Sequence, residues 1–109
     1  MIEYDLENIG KKVKEIHPNI QGVLGLLTIP EHKQCCIGYI QGKILECMVT
    51  KDIITAVAIT NCAIGITGIA PQEFNLKFIE QIAEEHNYGD FAISFLGVCN
   101  ALNYIDETN

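Results

Sequence analysis

Charge is what this chain has least of. Only 19 % of its 109 residues are charged, against 49 % that are apolar, whereas soluble domains carry about 25 % charged residues. Basic residues are the scarcest: 7 Lys and Arg face 14 Asp and Glu, for a net charge of −7. Nucleic-acid phosphates are held by clustered positive charge, and the one basic cluster, Lys11, Lys12 and Lys14, has a local explanation. It lies late in a predicted first helix that carries Glu3, Asp5 and Glu7 at its other end, the arrangement a helix dipole favours. Nucleic acid is excluded as an expected partner.

Other absences narrow the class further. The five cysteines are odd in number and contain no Cys-x-x-Cys pair, so neither a disulfide framework nor a redox motif is indicated. The N-terminus, Met1 to Asp5, is acidic where a secretory leader would be basic and then apolar. The longest nearly uncharged run, Ile53 to Pro71, is broken by Thr, Asn, Gly and Pro, and a bilayer helix needs about twenty predominantly apolar residues. It reads as buried core, with no membrane partner and a cytoplasmic location expected. Internal repeats, low-complexity segments and linkers are also lacking, so residues 1–109 read as one domain. So small a chain cannot hide this much apolar surface within itself, and a homo-oligomer is the expected way of covering the rest.

What is present reads as a small α/β (or α+β) domain, a mixed sheet covered by three to four helices. Leu6, Ile9, Val13 and Ile16 form one apolar stripe of helical spacing, and Pro18 predicts that this helix stops near His17. Gln21 to Ile29 reads as a buried strand. Cys35 to Ile40 and Lys43 to Thr50 read as a hairpin around Gln41-Gly42. Asp52 to Thr60 is rich in β-branched residues yet leans towards a buried helix, for which Thr50 is a possible cap. The C-terminal part reads as a strand-helix-strand crossover. Ala63 to Thr67 is its first strand, a helix starts at Pro71 and stops at Asn87-Tyr88-Gly89, and Phe91 to Leu96 is its second strand. A short helix over Val98 to Ile105 and frayed residues Asp106 to Asn109 follow.

Parallel strands in such a crossover end at one sheet edge, where open α/β folds place their ligands. Two features fall there. Cys99, in Gly97-Val98-Cys99-Asn100-Ala101, would sit on a strand-to-helix turn whose backbone amides stabilise a thiolate nucleophile. His17, His32 and His86 are the available bases. The competing reading of Cys99 is a small buried hydrophobe. Thr67 and Gly68 precede the next helix, where free amides can hold an anion, and Asn100 would face them. His32 and Cys35 supply only two metal ligands at close spacing, against the four of a closed zinc site, so no metal is expected. No cofactor is indicated.

Three functions follow as expectations. The favoured one is a homo-oligomeric module binding a small anionic or neutral ligand near Thr67, Gly68, Cys99 and Asn100. The second is a small enzyme with Cys99 as its nucleophile. The third is a structural or partner-binding subunit, whose exposed apolar face closes only in a complex.

Overall fold

The β-branched runs are helices. In the computed structural model, which describes residues 5–105, the described residues form five α-helices and no strand. These are α1 (Leu6–Leu26), α2 (Lys33–Thr50), α3 (Ile53–Thr67), α4 (Lys77–Glu85) and α5 (Gly89–Ala101). Short 3-10 turns precede α2 at Pro30–His32 and α4 at Pro71–Phe74. The expected mixed sheet and its strand-helix-strand crossover are therefore incorrect, as is an α/β class. The expectation of frayed ends at 106–109 lies outside the described residues, as does Glu3.

Each correction has a local cause. Asp5 caps α1 by accepting the Asn8 amide at 3.0 Å, as the first turn requires. The helix then runs through Pro18, which removes one backbone hydrogen bond and crowds the carbonyl a turn earlier, costing about 3 kcal/mol. Beyond it Ile20 and Leu24 are buried against the core. Two such side chains contribute roughly 3–6 kcal/mol, enough to outweigh the proline. The supposed strand from Gln21 thus belongs to α1, and the lysines stand in its first half rather than beside its C-terminus. Lys11 pairs with Glu7 at 3.4 Å and Lys12 with Glu15 at 3.3 Å.

The supposed hairpin is one helix. Cys36, Ile40, Ile44 and Cys47 are buried along α2, a stripe of helical period that runs straight through Gly42. Lys51, in left-handed backbone at φ 60°, ends it, and the Asp52 amide donates back to the Cys47 carbonyl at 2.9 Å. The helix expected over Asp52 to Thr60 is present as α3, capped by Asp52 rather than Thr50. Asp52 accepts from the Thr55 amide at 3.0 Å and from its hydroxyl at 2.6 Å. The run Ala63 to Thr67 continues α3.

α3 is the central element, packed against α1, α2 and α5, while α4 packs on α5 and also meets α2. Its seven buried residues from Ala56 to Ala63 cover nearly every side of the helix, the pattern of a helix enclosed all round. The one buried polar side chain among the described residues, Thr60, donates to the Ala56 carbonyl at 3.0 Å. Cross-links between elements add to this core. Gln41 donates to the Phe74 carbonyl at 3.1 Å, Asn61 donates to the Tyr104 hydroxyl at 2.5 Å, and Lys33 pairs with Glu73. Phe91 and Phe95 stack one turn apart in α5, with ring centroids 5.7 Å apart.

Candidate functional site

The residues singled out from sequence do not share an edge, because the sheet that would have aligned them is not formed. Cys99 lies inside α5, not on a strand-to-helix turn, and none of its surface reaches solvent. Burial pushes its thiol up to about 12, so at neutral pH it is a protonated core side chain. A nucleophilic cysteine needs the opposite, an accessible thiol held as thiolate. Thr67 closes α3 by donating to the Ala63 carbonyl at 2.7 Å and accepting the Ile69 amide at 3.1 Å. Gly68 follows at φ +70° with its amide on the Ile64 carbonyl at 3.1 Å. The pair therefore forms a helix C-terminus, where carbonyls rather than amides are exposed, and the dipole disfavours an anion. Asn100 lines a cavity.

That cavity belongs to a groove between α4 and α5. Asn100, Gly97, Leu96 and Ile105 line a space of about 350 Å³ with Lys77 and Glu80. A neighbouring space of about 270 Å³ shares Glu80 and Leu96 and continues to Glu84, Ile93, Ala92 and Gly89. The two are halves of one channel along the helix pair. On α5 the positions Gly89, Ile93, Leu96 and Asn100 recur every three to four residues, which places them on one face. On α4, Lys77, Glu80 and Glu84 do the same. The channel thus has an apolar floor from α5 and a charged wall from α4.

Lys77 stands one turn before Glu80 in that wall, but towards the other end its electrostatics are unfavourable within the chain. Glu80 and Glu84 stand one turn apart, where like charges repel. Glu84 and Glu85 occupy the last turn of α4, which has no basic residue to balance the negative end of the helix dipole. The ion pairs of the described residues engage Glu7, Glu15, Glu46 and Glu73 and leave these three carboxylates without a cation. Beside Glu80 and Glu84, Ile93 is 67 % exposed. Sequence reading places Ile93 in a strand. The i, i+4, i+7 spacing of Gly89, Ile93 and Leu96 is the signal that would have placed Ile93 beside the glutamates.

Among the described residues no cluster of three or more His, Cys, Asp or Glu side chains is disposed to hold a metal ion, and no helix is long and apolar enough to cross a membrane. No protein-family model, no curated protein and no solved structure matches this chain.

Proposed function

We propose that this protein is a partner-binding subunit whose α4–α5 face receives another protein, the third of the functions expected from sequence. The observation that carries this reading is Ile93, two-thirds exposed on the floor of a groove that is walled by carboxylates without counter-ions. Covering the exposed part of such a side chain is worth about 1–2 kcal/mol, and cations placed against Glu80 and Glu84 would relieve their repulsion. The nucleophile reading is weakened by the buried, protonated thiol of Cys99. The anion site is weakened by the internal hydrogen bonds of Thr67 and by the C-terminal setting of Gly68. Five unpaired cysteines support a reducing, cytoplasmic setting for the complex.

The test is a photo-crosslinking amino acid placed at position 93 and, as control, at the exposed Glu31, in the cells that make the protein. The expected result is one dominant adduct at position 93, identified by mass spectrometry, absent from position 31, and reproduced with the purified partner. Adducts that are the same from both positions, or none from position 93, would remove the reading.

A further inference from the structure

Resting on that reading, we infer that the occupant of the groove is a cationic amphipathic α-helix of a different protein, lying parallel to α5 and antiparallel to α4. Shape comes first. From Gly89 to Asn100 the floor extends about 16 Å, or three helical turns. Gly89 and Gly97, one turn before and after Ile93, keep that floor low on either side of it, leaving room for the apolar stripe of a helix laid along it.

Charge complementarity selects the kind of helix. Glu80 and Glu84 present carboxylates at one-turn spacing along one wall, so lysines or arginines at i, i+4 on the flank of the occupant meet both. The ends of the groove set direction. Glu84 lies at the end beside Gly89, and Lys77 at the end beside Asn100. A helix presents partial positive charge at its N-terminus and negative charge at its C-terminus, so its N-terminus belongs at Glu84 and its C-terminus at Lys77. A second copy of this chain fits poorly. Each copy carries −7, which opposes association.

The test uses two designed helical peptides of about four turns, with the same leucine-alanine stripe and a nitroxide at the N-terminus. One carries lysines at i, i+4 on the flank and the other carries glutamates there. Each is titrated into the 15N-labelled full chain at low salt. The lysine peptide is expected to shift the amides of Glu80, Glu84, Ile93 and Leu96 and to broaden Gly89 rather than Asn100. Its affinity should exceed that of the glutamate peptide at least tenfold and fall as salt is raised. Glu80→Gln with Glu84→Gln, both exposed and isosteric, should weaken the lysine peptide about tenfold while leaving the rest of the spectrum unchanged.

Equal affinity of the two peptides, shifts mapping to another face, or an unaffected double variant would overturn the inference. Broadening at Asn100 would overturn the orientation. Concentration-dependent broadening of Ile93 without peptide, abolished by Ile93→Glu, would identify a second copy as the occupant and also overturn it. Crosslinking at position 93 to a partner that is not a basic helix would reject this occupant while the partner-binding reading stands. Failure of both experiments would reject both.

Discussion

Alkylation of the cysteines separates a buried α5 core from a nucleophile at the same residue. Cys99 is wholly inaccessible, and its thiol is pushed up to about 12 by burial. At pH 8 such a thiol is thiolate in roughly one molecule in ten thousand, against about a quarter for an ordinary cysteine near 8.5. Ionisation alone therefore slows Cys99 by about three orders of magnitude, and the need for α5 to open slows it further. Cys47 is raised to about 11, first by burial and then by the carboxylates of Asp52 and Glu46. Burial also raises Cys36 and Cys62, whereas Cys35 is exposed. Pulsed iodoacetamide on the native protein, quenched and read by peptide mass spectrometry, should modify Cys35 first and Cys99 among the last. Mild denaturant should accelerate Cys99 far more than Cys35. Labelling of Cys99 as fast as Cys35 under native conditions would refute the buried-thiol argument and restore the enzyme reading.

Three further outcomes check the fold. Asp52→Ala removes the cap of α3 and should cost about 1 kcal/mol in urea unfolding. Partial burial pushes the Asp52 carboxyl up, but hydrogen bonds from the Thr55 hydroxyl and amide and the charge of Lys12 hold it below its ordinary value. Its contribution is accordingly complete above about pH 4, the unfolded value, and is lost as pH falls through the lower folded value. The difference between wild type and Asp52→Ala should shrink over that window, and a difference independent of pH would contradict the cap. Gly68→Ala meets no neighbour but sits at φ +70°, so thermal unfolding should show a loss of about 1 kcal/mol from backbone strain. An unchanged Tm would mean that the α3 terminus is not left-handed there. Phe95→Ala empties a fully buried site stacked on Phe91 and should cost about 3–5 kcal/mol by denaturant titration. A loss under 1 kcal/mol would contradict the packing of α5.

The parts of the fold legible from sequence are those where an element keeps a wet side. The stripe Leu6, Ile9, Val13 and Ile16 marks the start of α1 because that helix has a solvent face. The stop at Asn87 is likewise visible, and Asn87 is left-handed at φ 65°. α3 has no comparable signal. It is buried on most sides, so its apolar run carries no 3.6-residue period, and a short apolar run cannot be told from a buried strand by pattern alone. In α5 the buried Phe91, Ala92, Phe95, Val98 and Cys99 keep helical spacing, but Ile93 and Leu96 between them fill the apolar run and mask it. β-branching then tips the reading the wrong way, since Ile, Val and Thr favour strands only weakly and packing overrides them. In α2 the helical period was present but cut by Gly42, whose cost of about 1 kcal/mol relative to alanine in a helix interior is small beside the six buried residues of that helix. Pro18 misleads for the same reason. Once the sheet is removed, Thr67, Gly68, Cys99 and Asn100 lose the edge that made them one site.

Composition also suggested more apolar surface than one chain can hide, and the location of that surplus decides how much it implies. Leu26 at 74 %, Val49 at 65 % and Ile93 at 67 % are the most exposed large apolar side chains among the described residues. They lie on α1, α2 and α5 rather than on one helix, and isolated exposed hydrophobes are ordinary on protein surfaces. Low charge content therefore does not by itself require self-association. What sets Ile93 apart is its setting. It shares a groove with Leu96 and with two glutamates that repel one another, the second of which also opposes the dipole of α4. Nothing in the folding of α4 calls for acids at its C-terminal end, where a lysine would stabilise it by about 0.3–1 kcal/mol. Glu84→Lys should therefore raise the stability of the isolated chain while weakening a cationic partner, so unfolding and binding would move in opposite directions. A variant that lost both together would show instead that Glu84 serves the fold and not an interface.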